Sequence, residues 1–237
     1  MWLIQHASHN PTTARTRRPH RGAEGDLIDW FIDEVTEFPR QESALTIFRE
    51  VWVSSGSPDL VVVFWDPRIF SSWKSNRPSL GRRTLKVLHF IYSQTHASVD
   101  VLKSIYGDRV RQDADLLVSA GMATYDANGY RAVSVSDSYA VRAIAAVEAK
   151  ISRWSSALEQ AVRNQWFASH SYVLLPNIPT SAGFAAHPMK DAIHVITKDV
   201  GVPSAFGAGK ASPPTSYMSW LFNEWLWEAW RHVNLEH

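Results

Sequence analysis

Cysteine is absent from the 237 residues, which excludes disulfides and thiolate metal sites and agrees with a reducing, cytoplasmic setting. Charge imbalance is absent as well. With 24 Lys+Arg against 23 Asp+Glu the formal net charge is +1, so a nucleic-acid partner would be met by local patches instead of a global field. No apolar stretch approaches the roughly 20 residues needed to span a bilayer, and the N-terminus lacks a signal-peptide apolar region, so no membrane association is expected. The ten histidines form no tight ligand pattern, which puts oxygen-ligand metals ahead of zinc.

What is present is ample material for a core. Hydrophobic residues make up 45% and aromatics 12%, enough for one large domain or two modest ones. Residues 1 to 22 hold four arginines and no acid, and read as a flexible basic arm able to contact phosphate. From Glu24 to Phe38 the apolar spacing of Leu27, Ile28, Trp30, Phe31 and Val35 predicts a helix stopped by Pro39. Two strand-like runs follow, Ala44 to Val53 and Leu60 to Trp65, joined by the turn Ser54 to Pro58. The second run is continuously apolar, as a strand covered on both faces would be.

A polar linker is read over 68 to 80, and then the pattern changes. Helices are predicted over Arg82 to Gln94, Val99 to Tyr106 and Arg109 to Ala120, the last capped by Asp108 and ended by Gly121. Met122 to Tyr125 and Tyr130 to Val133 flank Asp126-Ala-Asn-Gly129, a hairpin turn. Three helices and a hairpin in this order resemble a winged helix-turn-helix module over 79 to 134. Sheet chemistry then returns with the apolar run from Val141, a helix from Arg153 to Ala168 and a strand from Ser171 to Pro176. A helical stretch near Lys190 to Lys198, a Gly/Pro/Ser-rich loop over 200 to 216 and an apolar helix from Tyr217 to His232 complete the chain, and Leu235-Glu236-His237 reads as a tag remnant.

The run from Val141 ends in Glu148-Ala149-Lys150, the only Glu-x-Lys or Asp-x-Lys triplet in the chain. On a strand, residues i and i+2 share a face, so Glu148 and Lys150 would project together at the strand's end. A carboxylate beside an ammonium suits phosphodiester hydrolysis, where one holds a divalent cation and the other orients water. About one chance copy of such a triplet is expected in a chain this long, so its surroundings carry the argument. Asp59 opens the earlier apolar strand in the chain's one Pro-Asp pair.

This order, with Pro58-Asp59, Glu148-Ala149-Lys150 and the following helix bearing Trp154, Ala157, Leu158, Gln160-Ala161, Asn164 and Phe167, resembles the PD-(D/E)xK nuclease superfamily. The resemblance covers about 24 to 65 and 135 to 176. It implies a restriction-endonuclease-like α/β fold, a mixed central sheet flanked by helices, with residues 23–78 and 135–234 forming the core around the inserted 79–134 module. It further implies that Asp59, Glu148 and the Ala149 carbonyl ligate Mg²⁺, with Mn²⁺ a substitute, that Lys150 positions water, and that Gln160 orients groups near Lys150. Glu24 is the best match for an additional acid from the first helix, and Glu34 the next. The expected activity is that of a Mg²⁺-dependent DNA endonuclease.

In the inserted module Arg109, Arg111 and Gln112 are candidates for phosphate and base-edge contacts, joined by Arg131 and by Arg82, Arg83 and Lys86, although Asp108, Asp113 and Asp115 dilute the positive face. Two rival expectations stand beside the nuclease: a catalytically inactive DNA-binding or regulatory protein, and an interaction subunit of a nucleic-acid-processing complex. The aromatic last helix, with Trp220, Trp225, Trp227 and Trp230, suggests core packing or else a homodimer or partner interface. Gly207-Ala-Gly209-Lys210 has the look of a phosphate loop, but Ser204 and Ala211 stand where a glycine and a Mg²⁺-contacting hydroxyl are needed.

Overall fold

A computed structural model describes residues 2–4, 10–37, 43–189, 193–207 and 212–235. The chain divides into two compact units, Met1–Trp65 with Val141–Ser212, and Asp66–Ala140 with Pro213–His237. Both are discontinuous in sequence. The second unit is larger than the expected 79–134 module, since it also takes in residues 66–78, residues 135–140 and the last helix.

The first unit is built on a mixed sheet of six strands. In spatial order they are β1 (Trp2–Ile4), β2 (Ala44–Arg49), β3 (Leu60–Trp65), β6 (Val141–Ala149), β7 (His170–Leu174) and β8 (His194–Ile196). The strands β2, β3 and β6 form an antiparallel meander, whereas β7 and β8 continue parallel to β6 and β1 lies parallel to β2. Parallel pairing of β6 and β7 requires a crossover, and helix α7 (Trp154–Asn164) supplies it.

Both faces of the sheet are covered. Helix α1 (Ala23–Glu37) lays Leu27, Ile28, Phe31 and Val35 on Leu60, Val62, Val147 and Leu174, each apolar side chain contributing about 1.5–3 kcal/mol on burial. On the other face Ala157, Leu158 and Ala161 of α7 pack on Val173 and Leu175. The sequence's continuous apolar run at β3 follows from this two-sided cover.

Several expectations change here. The N-terminal arm supplies β1 and an isolated bridge from Thr16 to Val51, so part of it is joined to the sheet. The run Ala44 to Val53 is not one strand: β2 stops at Arg49, and Glu50 takes φ +55. Where a helix was expected near 190 to 198, the strand β8 occupies 194–196, and Lys190 to Ala192 lie outside the described residues. The expected end of the first helix at Phe38 and Pro39, the segment 208–211 of the glycine-rich loop, and Glu236-His237 also lie outside them. Leu235 is the last residue of α9 (Tyr217–Leu235).

In the second unit, Asp66 caps a short helix α2 (Pro67–Ser71), accepting from the Arg68 amide, where a linker was expected. Then come α3 (Arg82–Gln94), α4 (Val99–Tyr106), α5 (Val110–Ser119), the hairpin β4 (Ala123–Asp126) and β5 (Gly129–Ala132), and a short α6 (Val135–Ser138). Asp108 does not cap α5; Arg109 holds that position, without a side-chain cap bond. Helix α9 is buried from Met218 to Ala229. Trp220 meets Tyr92 and Tyr139, and Trp227 meets Phe70 and Trp73. Trp220, Trp225 and Trp227 are core residues, in line with the core-packing alternative, and Trp230 is half-buried. A buried ion pair fixes the helix: Arg77 donates to both carboxylate oxygens of Glu224 at 2.9 and 2.8 Å, and the Leu80 amide donates to the same group. Among the described residues no helix is long and apolar enough to cross a membrane.

Candidate metal-binding active site

The antiparallel pairing of β3 with β6 decides where the candidate residues meet. Leu60 pairs with Val147, so Asp59, just before β3, lies beside the last residues of β6. The Ala149 amide, 90 residues further along the chain, donates to Asp59 Oδ2 at 2.7 Å, and Lys150 Nζ stands 3.5 Å from the same oxygen. Glu148, Asp59 and Lys150 all line one cleft of about 390 Å³. Gln160 of α7 lines it too, with its Oε1 buried and accepting no hydrogen bond. Glu24, in the first turn of α1, lies 3.8 Å from Lys150 Nζ. Four of the five residues singled out for the site therefore line this cleft, and Glu24, which does not line it, approaches it through Lys150. Glu34, further along α1, does not line the cleft.

Burial shapes the chemistry. Asp59 and Glu148 are only 2% and 4% exposed. Glu148 accepts from Asn164 Nδ2 at 2.7 Å, and its pKa is pushed up to about 8, first by burial and then by the charge of Asp59, against the Asn164 hydrogen bond and Lys150. Carboxylates that repel one another in a buried cleft are what a divalent cation relieves. Lys150 Nζ also donates to the Ala149 carbonyl at 2.7 Å, so this ammonium covers the backbone oxygen expected to serve as a ligand.

Three features were not expected from the sequence: Glu50, His20, and Asn164 as a partner of Glu148. Glu50 is fully buried, accepts from Arg17 Nε and Nη2 at 3.1 and 2.6 Å, and donates its amide to the Asp59 carbonyl. Its pKa is raised, by burial above all, with Arg17 opposing. Glu50 is the one acid within the β-like run Ala44 to Val53, a signal that was available. His20 Nε2 sits 3.4 Å from Glu50 Oε1 and 3.6 Å from Asp59 Oδ1. Gly25 permits this approach, since a Cβ there would fall 2.5 Å from the His20 carbonyl oxygen.

The expected nucleic-acid contacts lie in the second unit, and several are engaged within it. Arg83 is paired with Asp113 at 2.7 Å, Arg111 lies 3.9 Å from Asp115, and the Lys86 ammonium stands over the Tyr217 ring. Arg82, Arg109, Gln112 and Arg131 are exposed. No protein-family model matches the chain, and no curated protein or solved structure matches it.

Proposed function

We propose that the protein is a Mg²⁺-dependent DNA endonuclease of the PD-(D/E)xK kind. One observation carries the reading: Asp59, remote in sequence from Glu148 and Lys150, shares a cleft with them in which Asp59 Oδ2 is 3.5 Å from Lys150 Nζ. The order α1, β2, β3, β6, α7, β7, with its antiparallel meander and parallel crossover, supports the family resemblance. The inserted segment 79–134, three helices followed by a hairpin, supports the winged-helix comparison, and its exposed Arg109, Gln112 and Arg131 are chemically suited to DNA.

The residues present fit a divalent cation, because Asp59 and Glu148 are buried carboxylates with mutual repulsion to relieve. Asp59, Glu148 and the Ala149 carbonyl would hold it, and it would supply Lewis-acid stabilisation of phosphate charge and a lowered pKa for water. Lys150 has a second task. Freed from the Ala149 carbonyl, its ammonium would orient the attacking water and offset negative charge growing on the phosphate oxygens. Asn164 holds the Glu148 carboxylate in place, and Gln160 offers an uncommitted carbonyl oxygen to the cleft. In the reaction a water oxygen forms a bond to phosphorus, the P–O bond to the leaving sugar oxygen breaks, and that oxygen takes up a proton.

Incubation of the purified protein with supercoiled plasmid and Mg²⁺ tests this. Nicking or linearisation is expected, abolished by EDTA and in folded Asp59→Ala and Lys150→Ala variants. Failure to cut duplex or single-stranded DNA with either Mg²⁺ or Mn²⁺ would refute catalysis and leave a non-catalytic DNA-binding role.

A further inference from the structure

Beside the expected cation position lies a group of which that position uses only Asp59. We infer that His20 Nε2, Glu50 Oε1 and Asp59 Oδ1 form a second divalent-cation site, one that accepts Mn²⁺-class transition ions in preference to Mg²⁺ or Ca²⁺. It rests on the reading of the first site only through the shared Asp59 carboxylate.

Four features carry the inference. The three ligand atoms lie within 4.8 Å of one another, with His20 Nε2 at 3.4 and 3.6 Å from the two carboxylate oxygens. Those separations exceed the roughly 2.7–3.2 Å of ordinary N–H···O hydrogen bonds. They match the roughly 3 to 4 Å spacing of neighbouring ligands that each stand about 2.0–2.2 Å from one ion. Second, Glu50 Oε1 is buried and accepts no hydrogen bond, although the side chain is wholly inaccessible to solvent and an orphaned buried acceptor is costly.

Third, Glu50 adopts φ +55, in the left-handed region that non-glycine residues enter at a cost of about 1 kcal/mol or more. Two backbone bonds hold it there, from the Arg17 amide to the Glu50 carbonyl and from the Glu50 amide to the Asp59 carbonyl, both 2.9 Å long. The strain re-aims a carboxylate at the end of β2 toward Asp59. Fourth, Arg17 occupies only Glu50 Oε2, which leaves Oε1 for a different partner. An imidazole among the ligands favours borderline transition ions over Mg²⁺ and Ca²⁺, which prefer all-oxygen sets.

The test is Mn²⁺ binding to the full chain without nucleic acid, read by electron paramagnetic resonance and by titration calorimetry. Wild type should bind two ions with ¹⁴N coupling from a bound imidazole. His20→Ala, at a half-exposed position, should bind one ion, lose the ¹⁴N coupling and leave Mg²⁺ binding at Glu148 unchanged, and Glu50→Gln should also lose one ion. Wild-type stoichiometry and ¹⁴N coupling retained in folded His20→Ala would overturn the inference. If Glu148→Gln alone removes an ion and His20→Ala none, this site fails and the nuclease reading stands. If His20→Ala removes an ion and Glu148→Gln none, the second site stands and the proposed function loses its metal centre.

Discussion

Replacing Glu148 by Gln should stabilise the metal-free protein, and the structure sets the size of the effect. In the folded chain the Glu148 carboxyl is pushed from an ordinary 4.5 to about 8, chiefly by burial and by the charge of Asp59. The folded state therefore holds this proton more tightly than the unfolded state. Stability from Glu148 is undiminished below pH 4.5, falls as pH rises through the interval up to about 8, and then levels off. At pH 7 folding must take up a proton, at about 1.4 kcal/mol per pH unit above the unfolded value, for a total of about 3 kcal/mol. Gln keeps the shape, can still accept from Asn164 Nδ2, and has no charge to desolvate. Urea denaturation of wild type and Glu148→Gln in EDTA, from about pH 5 to 9, should show stabilities that nearly coincide at the acid end and separate by about 3 kcal/mol at neutrality and about 4 kcal/mol a unit higher, the variant being the more stable. Adding Mg²⁺ should narrow the gap by stabilising wild type selectively. A variant no more stable than wild type at the alkaline end, or a gap independent of pH, would refute the reasoning.

Asn164→Ala removes the hydrogen bond that favours ionised Glu148, so half-maximal Mg²⁺ binding should need a higher pH than in wild type; calorimetry at about pH 6.5 and 8.5 measures it. In the second unit, Arg77→Met leaves the Glu224 carboxylate buried without its cation and should cost about 3–5 kcal/mol, with Arg77→Met/Glu224→Gln recovering most of the loss in chemical denaturation. Gly129→Ala should loosen the β4–β5 hairpin, because φ is +110 and the added Cβ would meet the Ala97 carbonyl oxygen at 2.5 Å; about 2 kcal/mol of destabilisation and faster proteolysis there are expected.

What could be read in advance was what local pattern determines. The stripe of α1, the continuous run of β3 and the hairpin around Asn128-Gly129 each declare themselves within a few residues. Asp59 and the Glu148-Ala149-Lys150 triplet were legible because strand ends expose side chains in a known phase, and the antiparallel register of β3 on β6 then brings them together. The backbone turn at Glu50 was hidden for the opposite reason. Its run looks like unbroken strand, and only a tertiary bond to the Asp59 carbonyl reveals that the backbone turns there. His20 sits in a stretch with no periodicity, and its approach depends on the bare Cα of Gly25. The allegiance of α9 was invisible likewise, since an all-round apolar helix announces burial without naming its neighbours; Arg77 with Glu224 settles that across 147 residues.

Hydrolysis by water at the cleft of Asp59, Glu148 and Lys150 is tested most directly by single-turnover cleavage of DNA in ¹⁸O-labelled water with Mg²⁺, followed by mass spectrometry of the ends. One ¹⁸O is predicted in the terminal phosphate of each cut, and no cut is predicted from Lys150→Ala on the same time scale. Absence of any cut, or cuts whose phosphates carry no ¹⁸O, would contradict hydrolysis at this site.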